Sequence, residues 1–357
     1  MSNNQESTLD REMANSSSDE ETTTFASKDK KKGHKGVFIE IGERMKMYEQ
    51  TQGTFLDKTK PYMARLDGHK FSTFARPVRR PYDELLHAIM VQTAADLLEQ
   101  FNDATTAYTQ SDEITLTFPN AIGDDERKLP FGGKTTKLST LLASYCSVRF
   151  NFNSVRLVDK WPTKEEYIAA CPPNQTQLSF APEVLRKRLT EGKAHFDARV
   201  FTVEDTHEFT NNIKWRSNYD CERNSRTNLG RAFFSTKEMN GLKAREVVEK
   251  LKTEKNIDWD SYPMGYKYGT FIKKTKYEKI VQNPKTGETI PCTRTRLEAF
   301  SFKIADFDPK YDSVFTLKTW NEVFENGILN PNELVKEPLI DDILGSNLDE
   351  DGVEDEE

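Results

Sequence analysis

Two runs of strand-forming residues lie almost back to back in this chain. Residues 105–110 and 114–118 are rich in Thr, Tyr, Ile and Phe, and only residues 111–113 separate them. So short a link joins two strands as an antiparallel hairpin. Its turn carries two carboxylates, Asp112 and Glu113. Any fold of this chain must therefore contain a tight hairpin with acidic side chains at its tip.

Segments with helical spacing flank the hairpin on both sides. Apolar residues recur with a 3.6-residue period from Asp83 to Phe101 and again in residues 134–150. Extended runs at 61–66 and 198–203 precede the first helix and follow the second. The order strand, helix, strand, strand, helix, strand predicts an α+β fold of the ferredoxin-like type. This fold has a four-stranded antiparallel sheet with helices on one face.

Carboxylates from two segments should meet in this arrangement. Asp67 ends the first strand and Asp112 lies in the hairpin turn, and the first and third strands of such a sheet are neighbours. Two adjacent carboxylates with Glu113 close by need compensating charge, and hard oxygen ligands suit Mg²⁺. A carboxylate pair with two metal ions can activate a hydroxyl and stabilise a pyrophosphate leaving group. The alternative is that each Asp only caps an exposed turn.

The residues after Asp67 suit phosphate binding. Gly68 lets the backbone approach a ligand closely, and the amides of His69, Lys70, Phe71 and Ser72 would then point at a triphosphate.

Two cations further along the chain, Arg80 and Lys137, are candidates for additional phosphate contacts, against the alternative that each is a solvated surface charge. Residues 133–135, Gly-Lys-Thr, look like the end of a phosphate-binding P-loop. However, Lys128 stands where the first glycine belongs, which excludes that motif.

The net charge of −7 is distributed unevenly. Residues 1–36 hold seven acids and six bases, residues 341–357 hold nine acids and no base, and residues 37–340 hold 45 bases and 42 acids. Both ends offer little apolar surface, so we expect disordered tails. The body is mildly basic, and the net charge does not exclude a nucleic-acid partner.

Basic residues alternate with aromatic ones in residues 264–296, around a turn predicted at 283–287. The basic residues are Lys267, Lys273, Lys274, Lys276, Lys279, Arg294 and Arg296, and the aromatic ones are Tyr266, Tyr268, Phe271 and Tyr277. Such a hairpin can grip an RNA backbone and stack bases. The alternative is a solvated hairpin whose lysines prevent edge-to-edge strand pairing.

The chain shows no targeting signal. Its first 25 residues carry six acids and one Arg without an apolar run, and no stretch approaches the roughly 20 apolar residues of a membrane span. The four cysteines are far apart, which argues against a zinc knuckle or a disulfide framework. We expect a cytoplasmic protein, with the nucleus as the alternative.

Two motifs together resemble those of the tRNA-His guanylyltransferases and the guanylyltransferase-like 3′-to-5′ polymerases. They are residues 65–71, Arg-Leu-Asp-Gly-His-Lys-Phe, and residues 107–113, Ala-Tyr-Thr-Gln-Ser-Asp-Glu. Further matches follow in the same order at 136–137, 196–200 and 215–224.

The resemblance, over about residues 38–300, implies a polymerase palm that adds nucleotides to the 5′ end of tRNA. In this family ATP activates a 5′-monophosphate, the 3′-hydroxyl of an incoming nucleotide such as GTP attacks it, and pyrophosphate leaves. By motif, Asp67, Gly68 and Asp112 would bind two Mg²⁺ ions, and Asp67, Asp112 and Glu113 would be catalytic. The implied nucleotide-binding residues are Asp67, Gly68, His69, Lys70, Phe71, Ser72, Arg80, Ser111, Asp112, Lys137 and Asn224.

Three departures separate this chain from the tRNA-His enzymes. Residues 222–225 are Glu-Arg-Asn-Ser instead of His-Ile-Asn-Asn, one extra residue lies between Trp215 and Asp220, and Arg80 replaces a lysine. These differences favour the guanylyltransferase-like branch and templated repair or editing of an incomplete tRNA 5′ end. The alternatives are addition of guanosine at position −1 of tRNA-His and a non-catalytic tRNA-binding palm. The resemblance also implies a homotetramer, a dimer of dimers.

We therefore expect four regions. Residues 1–36 form a disordered tail, and 37–302 form a palm-type nucleotidyltransferase domain with a basic β-hairpin near 264–302. Residues 303–340 form a C-terminal extension that packs on the body or on a partner subunit, and 341–357 form a disordered acidic tail.

Overall fold

A seven-stranded antiparallel sheet, in the order β4-β1-β3-β2-β5-β6-β7, organises the protein. The strands are β1 (Tyr62–Gly68), β2 (Thr106–Gln110), β3 (Glu113–Phe118), β4 (Phe196–Thr202), β5 (Thr270–Gln282), β6 (Thr289–Ser301) and β7 (Val335–Glu337). The first four in this order have the ferredoxin-like arrangement, so the predicted α+β palm is confirmed.

The computed structural model describes residues 54–119, 129–170, 180–283, 287–305 and 308–345. Its helices are α1 (Phe71–Phe74), α2 (Glu84–Gln100), α3 (Thr135–Leu157), α4 (Lys164–Ala170), α5 (Pro182–Thr190), α6 (His207–Lys214), α7 (Glu222–Phe233), α8 (Thr236–Met239), α9 (Ala244–Lys255), α10 (Met264–Tyr268), α11 (Lys310–Thr316), α12 (Trp320–Glu325) and α13 (Ile340–Leu344). Within these ranges no helix is long and apolar enough to cross a membrane.

Helices cover both faces of the sheet, and the expectation of helices on one face was therefore wrong. Ala64 and Leu66 of β1 belong to the core beneath α2 and α3. Met63, on the opposite face of the same strand, belongs to a second core with α6, α11 and α12. The strand period of two places successive side chains on opposite faces, and both faces of β1 are apolar in its first half.

The basic hairpin extends the central sheet instead of forming a separate appendage. Thr270 to Ile272 of β5 pair with Thr109 to Ala107 of β2, and Phe271 to Gln282 of β5 pair with β6. Beyond this junction the two long strands protrude with mostly exposed side chains. The tip of the predicted turn, residues 284–286, lies outside the described residues.

The C-terminal extension packs on the body of its own chain. Phe315 and Trp320 are completely buried in the second core, and the ammonium group of Lys273 donates hydrogen bonds to Thr105 O and Thr106 Oγ1 at 2.9 and 2.7 Å. The same ammonium group donates to Leu317 O at 2.5 Å and so ties the extension to the sheet.

The predicted boundary of the acidic tail at residue 341 is wrong, because α13 occupies residues 340–344. Ile340 is buried in the first core, and Asp341 forms an ion pair with Arg156 of α3. Ile343 and Leu344 also pack against the first core, so this segment is helical although its composition predicts disorder. The predicted N-terminal tail and residues 346–357 lie outside the described residues.

Candidate active site

The turn between β2 and β3 brings the two acidic segments together. It consists of Ser111 and Asp112 alone, since Gln110 already pairs with Glu113. Ser111 adopts a left-handed conformation with φ 51°. The amide of Gly68 donates a hydrogen bond to Asp112 O at 3.1 Å, which fastens the end of β1 to this turn.

Three carboxylates lie side by side across the sheet. Asp67 of β1 is in register with Glu113 of β3 and with Asp197 of β4. Arg65 and Arg199 are in register two residues away, on the same face. Like charges opposite one another destabilise a sheet, and the neighbouring arginines offset this repulsion. Sequence reasoning missed Asp197 and Arg199 as members of the site, because only the register between β1 and β4 reveals them.

Glu113 is held between two arginines. Arg65 donates two hydrogen bonds to its carboxylate, from Nη2 at 2.7 Å and from Nε at 3.1 Å. Arg216 Nη1 lies 3.2 Å from Glu113 Oε2. Arg65 Nη2 also lies 3.2 Å from Asp67 Oδ2. The two arginines therefore neutralise the Glu113 carboxylate and hold it in place. Asp67 has a single contact with the guanidinium group of Arg65.

Asp67 and Asp112 both have raised pKa values. Burial is the main cause for Asp67, and the charge of Glu113 adds to it. Burial raises the pKa of Asp112 to about 6, with a contribution from Asp67, although the hydroxyl of Ser111 donates to Asp112 Oδ1 at 3.0 Å and opposes the shift. When both carboxylates are ionised, the surrounding protein groups therefore do not fully neutralise their negative charge.

This pair suits a hard cation. All the available donors are oxygen atoms, and Mg²⁺ is commonly held by one or two carboxylates with water and substrate phosphates completing the shell. Within the described ranges no group of three or more His, Cys, Asp or Glu side chains is arranged to hold a metal. At this site the described residues offer the carboxylates of Asp67 and Asp112 together with backbone oxygen atoms.

A cleft of about 400 Å³ opens beside Asp112. Six of the predicted nucleotide-binding residues line it, namely Phe71, Ser72, Arg80, Ser111, Asp112 and Asn224. Five others lie outside its lining, namely Asp67, Gly68, His69, Lys70 and Lys137.

The loop after Asp67 contributes fewer phosphate donors than its sequence indicates. The amide of His69 donates to His195 O at 2.8 Å, so it is not available to a ligand. The ring of Phe71 is buried against Phe74 and Phe150, which leaves only its backbone for a ligand. A Cβ atom on Gly68 would lie 2.4 Å from that ring, so glycine is required here by side-chain packing.

Lys137 does not line the cleft, and its predicted contact with a phosphate group stays a prediction. It is exposed in the first turn of α3, and its Nζ lies 4.7 Å from the centroid of the Phe131 ring. The sequence placed Lys137 correctly at the start of a helix. Which surface this helix end faces depends on how α3 packs across the sheet.

A π-helix, Trp215–Cys221, joins α6 to α7 without a break in the helical chain. A π-turn holds one more residue than an α-turn, so it accommodates the extra residue between Trp215 and Asp220. Arg216 contacts Asp220 at 3.3 Å and connects this helix to Glu113. Asn224 follows in α7 and lines the cleft.

Comparison with known proteins agrees with this geometry. The model of the tRNAHis guanylyltransferase family matches residues 42–204. An uncharacterized protein of Acanthamoeba polyphaga mimivirus is 30% identical over 306 residues, which are 84% of this chain and 95% of that protein. The chain belongs to the tRNAHis guanylyltransferase family.

Two further relatives lie in the same family. A probable tRNA(His) guanylyltransferase of Mus musculus is 24% identical over 67% of this chain and 76% of its own length. A solved structure of a bacterial tRNA(His) guanylyltransferase-like protein in complex with ATP is 27% identical, with a TM-score of 0.52, over 66% of this chain and 87% of that one. Members of the family are nucleotidyltransferases, and this chain is an enzyme of that class.

Proposed function

We propose that this enzyme adds nucleotides in the 3′-to-5′ direction to incomplete 5′ ends of tRNA, in a template-dependent reaction. The observation that carries the proposal is the pair Asp67 and Asp112, two neighbouring, partly buried carboxylates with raised pKa values, of which Asp112 lines a cleft of about 400 Å³. Unneutralised charge beside a cleft is costly for folding, and a bound cation removes that cost.

Asp67, Asp112 and the Gly68 carbonyl would hold two Mg²⁺ ions. Bound there, the metal would lower the pKa of an attacking hydroxyl and would stabilise the pyrophosphate leaving group. Glu113 keeps Arg65 and Arg216 in position, and Arg65 in turn contacts Asp67. In this proposal Glu113 supports the site by fixing the carboxylate geometry.

The cleft suits a nucleoside triphosphate. Its volume lies within the usual range of small-molecule sites. Ala75, Val78 and Leu86 provide apolar lining for a base, and Asn224 and Asn228 of α7 provide hydrogen-bonding groups. ATP would bind here for activation of a 5′-monophosphate, and GTP or another nucleotide for addition.

The outer part of the β5–β6 hairpin is suited to the RNA backbone. Tyr277 is directly opposite Arg294, and Lys279 and Arg296 lie on the same face. The guanidinium group of Arg296 lies 5.4 Å from the centroid of the Tyr277 ring. Arg294 forms no ion pair within the described part of the chain, so its charge is available to a phosphate.

Local ion pairs distinguish this chain from the tRNA-His enzymes. Arg223 is paired with Asp220, and Glu222 is paired with Arg226 and Lys303. Glu222 and Arg223 occupy the positions of the His-Ile pair in the tRNA-His enzymes. This difference favours templated addition over untemplated guanosine addition at position −1.

The decisive experiment uses tRNAs that lack their first nucleotide. The wild-type protein is incubated with Mg²⁺, ATP and labelled nucleotides, and the base opposite the missing position is varied. We expect incorporation of the complementary nucleotide. Guanosine addition whatever the opposite base would favour the −1 reaction instead, and tight tRNA binding without incorporation would favour a non-catalytic protein. The variants Asp67→Asn and Asp112→Asn serve as inactive controls.

A further inference from the structure

One tryptophan of the chain is exposed to solvent, and it lies beside the carboxylate site. Trp215 is 51% exposed, whereas Trp161, Trp259 and Trp320 are 1%, 3% and 0% exposed. Tyr219, four positions later in the same π-helix, is 57% exposed. Tryptophan is highly buried on average, so two large aromatic side chains in solvent on one short segment indicate an interaction surface.

The two aromatic rings lie on the same side of the π-helix, because residues four apart along a helix are neighbours on its surface. Neither ring stacks on an aromatic ring of the described residues, and neither the indole N–H of Trp215 nor the hydroxyl of Tyr219 forms a hydrogen bond with one of them. The guanidinium group of Arg216 lies 4.4 Å from the centroid of the Trp215 ring and covers one of its faces. The remaining surface of the ring is open to a ligand.

Arg216 also sets the distance from the Trp215 ring to the carboxylates. Its Nη1 atom lies 3.2 Å from Glu113 Oε2, and Glu113 is in register with Asp67 across the sheet. These contacts and one C–N bond of about 1.3 Å place the ring centroid within roughly 9 Å of the Glu113 carboxylate. Neighbouring bases of a nucleic-acid strand are about 3.4 Å apart, so two or three stacked bases span this distance.

The cleft and the Asp67 side of the site suit different substrates. Asp112 lines the cleft, whereas Asp67 and the two exposed aromatic residues do not. A nucleotide in the cleft therefore leaves the Asp67 side to the second substrate. Arg199, in register with Arg65 beside Asp67, is exposed and forms no ion pair with a described residue, so its charge is available to a phosphate group of that substrate.

We propose that Trp215 and Tyr219 form a stacking platform for the terminal bases of the RNA substrate and so place its 5′ end at Asp67. The inference rests on the proposed function, which supplies RNA as the second substrate. Proteins hold splayed or terminal RNA bases by stacking them on aromatic side chains, and every base has a π-face. The platform therefore holds an RNA end without reading its sequence, which suits an enzyme whose added nucleotide is set by a template base.

Tryptophan fluorescence and RNA affinity, measured without Mg²⁺ and nucleotide, test the platform. Trp215 is the exposed one of four tryptophans, so binding of a tRNA that lacks its first nucleotide should protect the protein fluorescence from quenching by acrylamide. Trp215→Ala and Tyr219→Ala should each weaken RNA binding by roughly 5- to 100-fold, the usual loss for one stacked base. Neither ring is charged, so the slope of log K against log salt should keep its wild-type value.

Matched variants separate stacking from other effects. Trp215→Phe keeps an aromatic ring and should recover most of the affinity that Trp215→Ala loses. Phe55→Ala removes an aromatic side chain that is 56% exposed elsewhere in the chain, and it should bind RNA like wild type. Tyr219→Ala leaves the contact between Trp215 and Arg216 in place, so a displaced guanidinium group cannot explain its loss of affinity.

Steady-state kinetics distinguish RNA from a nucleotide as the ligand of the platform. Both alanine variants should raise KM for the tRNA and leave KM for ATP unchanged. Unchanged RNA affinity in both variants would overturn the proposal, as would a rise in KM for ATP alone. If wild type binds tRNA through both rings but adds no nucleotide, the proposed function fails and the platform stands. If templated addition proceeds independently of both rings, the platform fails and the proposed function stands.

Discussion

Asp112→Asn should stabilise the metal-free protein while abolishing nucleotide addition. Burial and Asp67 raise the pKa of Asp112 from 3.8 to about 6. This is roughly two pKa units at 1.36 kcal/mol each, or a ceiling of about 3 kcal/mol. The side chain keeps a solvent-exposed edge, which reduces the expected gain to about 2 kcal/mol. An asparagine fits the same space and carries no charge to bury.

The pH dependence follows from the sign of the shift. Asp112 is protonated in both the folded and the unfolded state below pH 3.8, so the ionised form imposes no cost there. The cost grows as pH rises from 3.8 to about 6 and is complete above that value. The difference in free energy of unfolding between Asp112→Asn and wild type should therefore increase by about 2 kcal/mol from pH 4 to pH 7.

Urea denaturation in EDTA, followed by tryptophan fluorescence, measures this difference. Asp260→Asn removes an exposed carboxylate and is the control for the loss of one surface charge. Addition of Mg²⁺ should stabilise wild type and leave Asp112→Asn unchanged. If the difference in free energy of unfolding between Asp112→Asn and wild type is the same at pH 4 and pH 7, burial does not destabilise the ionised Asp112 and the reasoning is refuted.

Three further variants test the site and its surroundings. Glu113→Ala should lower the free energy of unfolding by about 3 kcal/mol, because it leaves two partly buried arginines without their shared partner, and an unchanged urea midpoint would contradict this. Gly68→Ala should cost about 1 to 3 kcal/mol by displacing the Phe71 ring, and a wild-type thermal midpoint would show that the ring moves freely. Arg294→Ala with Arg296→Ala should weaken tRNA binding and reduce the slope of log K against log salt by about 1 to 2, and an unchanged slope would place the RNA elsewhere.

Local sequence patterns correctly predicted the elements around the site. The turn between β2 and β3 is short, and α2 and α3 have a regular apolar period, so neighbouring residues were enough to specify them. The position of Asp67 at the end of β1 and of Asp112 in the turn followed from the same patterns. The family resemblance rests on these two short segments, and the family comparison confirms it.

Long-range packing decided the rest. The sequence gives no sign that the amide of His69 is bound to His195 or that Phe71 is a core residue, because both contacts come from distant segments. The ion pairs that hold Glu113 in place also include Arg216, which lies about a hundred residues away in the sequence.

The sequence by itself determined that one acidic motif lies at the end of β1 and the other in the turn between β2 and β3. Hydrophobic periodicity and turn-forming residues specify such features because both depend on only a few neighbouring residues. Only the tertiary structure decided which charges remain unneutralised and which helix face stays exposed. Strand register brought Asp197 beside Asp67, and the packing of α3 on the sheet left Val148 in solvent. Burial and register are properties of the whole chain, because each depends on surfaces supplied by residues far apart in sequence.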